Sequence, residues 1–525
     1  MPMLKLAERS LDWALLHIEK YGDTDIFPVP FEFEAIRYQW EQSMRSWLRS
    51  QDILQWTPRP YRRCLTPKHR YGFRVATQLD PLETIVFTSL VYEIGKDIES
   101  ARIPKEEKIA FSHRFAAKPD GRMYDSEYSW DLFQDHCGEL VESNDYRYVV
   151  IADIADFYPR IYFHPLENAL SECTRKKNHI KAITSMIKNW NFSVSYGIPV
   201  GSAASRLLAE LVIDDVDRGL LSEGVKHCRY VDDYRIFCKN EREAHEHLAL
   251  LANTLFENHG LTLQQHKTRI LPIEEFYNHY LQRENSQELN SLSAKFYHIL
   301  DSLGIENRYE DIDYDDLAAD VQAQIDNLNL MGILKEQVLE TEAIDIPLVR
   351  FVLKRLKQID SEESVDFVLD NINQLYPVFK EVITYITSLR SLNTADKHEI
   401  GKKLIQLLED SIVSHLEYHR LWVFDTFTKD REWDNEGKFV NLYNSYHDEF
   451  SQRKLILALG RAQQHSWFKS RKRTVNQMSP WLKRAFLAAA SCLPGDEAEH
   501  WYKSLQGSLD PLELTITKWV QANPF

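Results

Sequence analysis

The chain has 525 residues, 44% of them hydrophobic and 12% aromatic, with 17 glycines, 19 prolines and a net charge of −16. That is enough apolar material for roughly two to four domains, and sparse Gly and Pro exclude a mostly disordered chain. The acidity argues against a protein that simply wraps nucleic acid. There is no apolar run of about 18 residues, and Leu4–Lys20 carries Lys5, Glu8, Arg9 and Asp12, so neither a membrane span nor a signal peptide is expected. Six cysteines without a Cys-x-x-Cys pair suggest reduced thiols and a cytoplasmic setting.

Residues 1–57 read as helices. Leu4, Leu6, Leu11, Leu15 and Ile18 recur at helical spacing, and Ala35–Leu48 follows a break at Pro28 and Pro30. Arg45, Arg49, Arg59, Arg62, Arg63, Lys68, Arg70 and Arg74 then fall in a stretch whose one acid is Asp52. Such a run suits phosphate contacts or a solvated basic face. Residues 58–145 open with a strand around Tyr71–Ala76. A helix follows, with Asp80 as N-cap and Pro81 at its first position. Arg114, in a less regular stretch, is a further candidate to face a phosphate.

Residues 146–275 hold the chemistry. The apolar run Tyr148–Ala152 ends abruptly in Asp153, as a buried strand delivering a carboxylate to a sheet edge would. Cys228–Cys238 reads as a β-hairpin with Asp232 and Asp233 at its tip. Its two cysteines read as small core residues. Three such carboxylates suit two magnesium ions about 3.5–4 Å apart, the arrangement for in-line displacement at phosphorus. Between them lie Gly197 and Gly201, which allow close backbone approach to a base pair or nucleotide, with Pro199 fixing the turn between them, and then a buried helix over Ala203–Val216.

From about 276 to the end the pattern is helical throughout. Ile346–Ile359, Glu363–Leu375, Pro377–Leu389, His398–Leu408 and Ser411–Phe424 each carry an apolar stripe. Their succession suggests paired helices stacked with a period near 40 residues. Glu306–Asp316 reads as a solvated acidic loop or linker. Lys469, Arg471, Lys472 and Arg473 beside Trp467 and Phe468 fit either nucleic-acid stacking or a plain solvated turn.

Seven segments in this order resemble a reverse transcriptase over about residues 58–275. Pro67-Lys68, Gly72-Phe73-Arg74 and Asp80-Pro81 resemble the fingers motifs. Asp153–Tyr158 resembles motif A, and Gly197–Ser202 with Ser205, Leu207 and Leu211 resembles motif B. Tyr230-Val231-Asp232-Asp233 resembles motif C, and Leu261-Thr262-Leu263 with Lys267-Thr268 resembles motif D. The resemblance implies an α+β fold of fingers and palm, an antiparallel sheet with helices. It makes Asp153, Asp232 and Asp233 the catalytic metal ligands, with the Ile154 carbonyl assisting and Mg2+, or Mn2+ in its place, as the ions. Lys68, Arg74, Asp156, Phe157, Tyr158, Pro199, Gly201 and Lys267 become nucleotide-binding residues. Tyr158 would sit under the sugar and exclude a 2′-hydroxyl. Asp156 would act through its backbone N–H. Lys267 would pass a proton to pyrophosphate or simply face solvent. Val200 stands where many relatives carry Gln, which removes an amide near the nucleotide or template.

The region after motif D lacks zinc-ligand spacing, a second acidic quartet, a His-rich nuclease motif and a Val-Thr-Gly thumb motif. A reverse transcriptase core joined to a long helical half resembles the bacterial abortive-infection (Abi) enzymes of the AbiK type and their prophage-encoded relatives. That implies N-terminal helices over 1–57, fingers and palm over 58–275, and an all-α HEAT-like repeat domain over 276–525 replacing the thumb. It also implies antiphage defence by untemplated synthesis from dNTPs, started on a Tyr hydroxyl. The single-stranded DNA product would stay attached to the protein. The resemblance further implies a homo-oligomer, a trimer or hexamer, and a phage component as trigger. Tyr38, beside Trp40 on an N-terminal helix, is the candidate primer among 25 tyrosines. Two alternatives stand beside this: templated synthesis on a dedicated RNA, and a phage-sensing scaffold with a polymerase fold.

Overall fold

The computed structural model describes residues 3–191, 193–281, 292, 296, 319–326, 328–433 and 435–524. The acidic stretch Glu306–Asp316 lies outside the described residues. The N-terminal helices are α1 (Glu8–Tyr21), α2 (Glu32–Tyr38) and α3 (Arg45–Ser50), their apolar stripes buried. β1 (Arg62–His69) and β2 (Gly72–Gln78) form an antiparallel ribbon, irregular between Pro67 and His69. α4 (Pro81–Ala101) follows, and the Asp80 carboxylate caps it by accepting from the Leu82 N–H at 3.3 Å.

A second sheet sits at the centre. Its strands are β3 (Tyr148–Asp153), β4 (His227–Tyr230), β5 (Asp233–Cys238) and β6 (Arg269–Pro272), ordered β4-β5-β3-β6, with each neighbouring pair antiparallel. β3 is covered on both faces, which explains its unbroken apolar run. Val149 and Ile151 meet Phe133 and Cys137 of α5 (Trp130–Glu142) in a small cluster. Val150 and Ala152 join the main core. After β3 come α6 (Phe157–Arg160), α7 (Phe163–Cys173), α8 (Lys177–Trp190) and the long α9 (Ala203–Ser222). α10 (Glu241–His259) packs on β3 and β5. Cys228 lies 3.7 Å from Cys137, sulfur to sulfur, and Cys238 pairs across the sheet with Tyr148, so the two hairpin cysteines are core residues apart from one another.

The C-terminal region is helical among its described residues, with boundaries that differ from the periodicity. Glu363–Leu375 is broken at Asn371 into Val365–Asp370 and Ile372–Leu375. The helix expected from His398 starts at Thr394, because the Asn393 side chain caps it. The one expected from Ser411 starts at Glu417; the Ser411 hydroxyl instead accepts from Val413 N–H and opens a separate 3-10 turn. The helices Phe379–Ser388, Glu417–Lys429, Glu449–Arg461, Pro480–Ala489 and Pro511–Ala522 pack each on the next, and the last packs on α2. No described helix is long and apolar enough to cross a membrane.

Candidate active site

Local sequence drives three carboxylates to one sheet edge. β3 ends at Asp153, whose register partner on β5 is Asp233. Asp232 occupies the two-residue turn between β4 and β5, where Tyr230 pairs with Asp233. The Ile154 N–H donates to the Asp232 carbonyl at 3.0 Å, locking the end of β3 against that turn. On the other side, the Gln264 N–H donates to the Asp153 carbonyl at 2.7 Å and the Ala155 N–H to the Thr262 carbonyl at 2.8 Å. The segments singled out as motifs A, C and D are thereby one backbone-bonded unit.

Cations answer these acids. Lys267 Nζ donates to Asp153 Oδ1 at 2.9 Å. Burial works against the lysine charge, but the hydrogen bond and charge of Asp153 outweigh it and hold the Lys267 pKa above its ordinary value. Arg235, itself buried, forks onto both carboxylate oxygens of Asp233, one at 3.1 Å. Asp232 has no such partner among the described residues: burial, then the charges of Asp153 and Asp233, push its carboxyl up to about 7, opposed in part by Lys68. Carboxylates with a carbonyl at Ile154 are hard oxygen donors of the kind Mg2+ prefers. Among the described residues no three such side chains converge as a ready-made metal site. Lys267 and Arg235 hold Asp153 and Asp233, so the donor set fits a divalent ion in chemistry, with Lys267 as the group it must displace.

The turn itself is strained. Val231 has φ +56°, in the left-handed region that a β-branched residue avoids. Two groups missed by sequence reading hold it. Ser112 Oγ accepts from the Val231 N–H at 2.8 Å, and Arg229 Nη1 donates to the Val231 carbonyl at 3.1 Å. Both lead into a buried network: Glu210 accepts from Ser112 and from Arg229 (2.8 Å), Asp217 from Arg229 and the Tyr234 hydroxyl (3.0 Å), and Arg102 donates to Glu210 at 2.6 Å.

The nucleotide candidates divide. Tyr158 is half-buried, and burial raises its phenol pKa well above the ordinary value. Its carbonyl accepts from Ile198 N–H at 3.1 Å, tying it to the Gly197–Ser202 loop. Asp156 is exposed, with φ +49° at the start of α6. The Phe157 ring is buried in the main core. Pro199 is buried, and Gly201 has φ +107°; a Cβ there would lie 2.5 Å from Thr24 Oγ1. The Thr77 hydroxyl donates to the Val200 carbonyl at 3.0 Å, joining that loop to β2. Lys68 and Arg74 are both exposed; Lys68 acts on Asp232, whereas the Arg74 charge is felt by Tyr418.

Other candidates are not brought to the site. Arg114 is buried, bonded to the carbonyls of Ala110 and Ile103 at 3.0 Å each and paired with Glu99. It faces no phosphate, because its irregular segment folds inward. Much of the basic run is likewise spent internally: Arg45 on Asp12, Arg49 on Glu8, and Arg59 on Glu83 and Asp510. The Trp467 and Phe468 rings are buried, and Lys469 and Lys472 both pair with Glu497, so that cluster offers no stacking platform. Tyr38 is exposed at the end of α2.

Residues 87–296 match the reverse transcriptase (RNA-dependent DNA polymerase) family. The chain carries a reverse transcriptase domain and is a nucleotidyltransferase of the DNA polymerase class. Among solved structures it is similar to apo telomerase from Candida tropicalis, at 11% identity and a TM-score of 0.33, over 81% of this chain and 76% of that one. Telomerase from Candida albicans, in complex with a TWJ fragment of telomeric RNA, gives 13% identity and a TM-score of 0.33 over 84% and 68%. No curated protein sequence matches the chain.

Proposed function

We propose that the protein makes DNA from dNTPs without a template, starts each strand on one of its own tyrosines, and serves in antiphage defence. The observation that carries the polymerase part is the backbone-bonded edge where Asp153 opposes Asp233 and Ile154 bonds to Asp232. Asp153, Asp232, Asp233 and the Ile154 carbonyl would hold two divalent ions, whose chemistry there would be to acidify the attacking hydroxyl and offset the charge of the leaving pyrophosphate. Lys68 and Arg74 meet the triphosphate. Tyr158 underlies the sugar. Lys267, which donates to Asp153 at 2.9 Å, would serve as the proton donor to the pyrophosphate. Tyr38 is the candidate primer; a neutral phenolic hydroxyl is a poor nucleophile and would need activation at the site.

Val200 in place of an amide supports untemplated synthesis. So does the C-terminal region, which packs back on β1 and occupies space beside the ribbon. The HEAT-like character of that region, its homo-oligomer and its phage trigger belong to the same proposal. Nuclease-treated protein, incubated with magnesium and labelled dNTPs alone, is expected to yield label that protease releases. Asp153→Ala and Asp232→Ala abolish it with the fold retained; full activity in either sinks the metal assignment. Templated synthesis is the second reading, favoured by the RNA-dependent description of the matched family. Primer extension on added RNA, with no self-labelling, would establish it.

A further inference from the structure

α7 and α8 fold back on one another through the turn Thr174–Lys176 and pack together. A groove of about 740 Å³ runs along the pair, lined by Arg175, Lys177, Lys181 and Lys188 among others. Lys177, Lys181 and Lys188 share one helical face by their spacing. All four cations are exposed. Lys188 is tied to Glu167 at 2.9 Å. Arg175, Lys177 and Lys181 meet no carboxylate among the described residues. Like charges one turn apart repel, and a chain of net charge −16 has acids to spare for pairing them. Here it leaves them bare.

A second feature stands where the helix pair opens. Tyr162, 41% exposed, bridges backbone to backbone with Tyr196, and the two rings lie 5.4 Å apart. The Arg160 guanidinium sits 5.6 Å from the Tyr196 ring centre. The platform is bonded to the active-site strand's continuation, since Gly197 N–H donates to the Ile161 carbonyl at 2.8 Å. An exposed Tyr162 ring beside half-buried Tyr196 and a guanidinium gives a face for bases, and the cationic groove of the same helix pair gives a track for phosphates. An acidic peptide would use the groove and leave the rings idle.

We propose that the α7–α8 groove and the Tyr162–Tyr196–Arg160 platform bind a single strand of nucleic acid outside the reacting centre. The test is anisotropy of a labelled oligothymidylate on the full chain in EDTA, titrated across salt concentrations. No nucleotide addition occurs in that assay, so its outcome is independent of how synthesis is primed or templated. Charge reversal at Arg175→Glu, Lys177→Glu and Lys181→Glu is expected to flatten the slope of log affinity against log salt by about 2, at about 0.7 per lost contact. Tyr162→Ala is expected to weaken binding about tenfold with the slope unchanged. Lys177→Gln with Lys181→Gln serves if the reversal disturbs the fold, with a slope flatter by about 1.4 expected. Wild-type affinity and slope in a folded charge variant would overturn the proposal. So would displacement of the oligonucleotide by polyglutamate together with indifference to Tyr162→Ala, which would mark an acidic-protein surface instead.

Discussion

Asp232 sits buried among acids with no ion pair among the described residues, and that makes it sensitive to pH. Its folded carboxyl titrates at about 7, against roughly 3.9 for an unfolded Asp. Between those values the folded state keeps a proton that the unfolded state has lost, so this group's contribution to stability falls as pH rises from about 4 to about 7. A divalent ion competes with the same proton. Magnesium is therefore expected to raise the thermal midpoint little near pH 5 and clearly near pH 8. Asp232→Asn should flatten the difference; an equal rise at both pH values would take Asp232 out of the metal site. Asp233 differs, because Arg235 already neutralises it. Replacing Asp233 by Asn leaves Arg235 buried without its counter-charge, so its loss of activity should come with a loss of stability of about 3 kcal/mol. Chemical denaturation of that variant beside Asp232→Asn checks this: equal stability in the two would remove Arg235 as the partner that matters.

At the scale of the element, the β4–β5 turn shows what a sequence can and cannot disclose. Alternation on either side of two aspartates is a local pattern, so the hairpin and its carboxylates were legible. The abrupt end of the apolar run at Asp153 was legible for the same reason. The bond that holds the turn was not, because Ser112 stands 119 residues before Val231 and carries no local signature. Arg114 fails for a related reason: in an irregular stretch no periodicity separates a buried arginine from an exposed one. Motif register singled out Phe157 as a position without disclosing that its ring enters the core. The left-handed Val231 costs about 1–2 kcal/mol, which Ser112 and Arg229 must offset. Ser112→Ala leaves the Val231 N–H unpaired at a cost of about 1–3 kcal/mol. It also lets Asp232 drift. The expected result is a fall in kcat of up to about 10²-fold with KM for dNTP nearly constant, recovered in Ser112→Thr. A change in stability alone, with kcat intact, would make Ser112 a strut and no more.

Across the whole molecule, the helical stripes after residue 330 announced helices, but nothing local announced that the last of them return to the beginning of the chain. That return rests on contacts across more than 400 residues of sequence. Glu32 on α2 accepts from Arg453 at 2.6 Å and from Arg484 at 3.0 Å, and Arg484 also pairs with Asp80, the cap of α4, at 2.7 Å. Beside them the Arg62 guanidinium of β1 lies 3.7 Å from the Trp481 ring centre and 4.2 Å from that of Phe450. Glu32 thus joins the N-terminal helices to the C-terminal ones, and Arg62 joins the ribbon to the same C-terminal helices. Burial alone would raise the Glu32 pKa, but the two arginines outweigh it and hold the carboxyl at about 2. A depressed pKa stabilises above the unfolded value, near 4.3, and that contribution is lost as pH falls toward 2. Glu32→Gln strands Arg453 in the core and leaves Arg484 with Asp80 alone, and about 3 kcal/mol of stability should be lost at neutral pH. The gap between wild type and variant should then narrow as pH drops from about 4 toward 2, because acid removes from wild type the charge that the substitution has already removed. Urea unfolding at several pH values reads both. A gap that is small at neutral pH, or that stays constant into acid, would mean that apolar packing between these regions, and not Glu32, holds the two ends of the chain together.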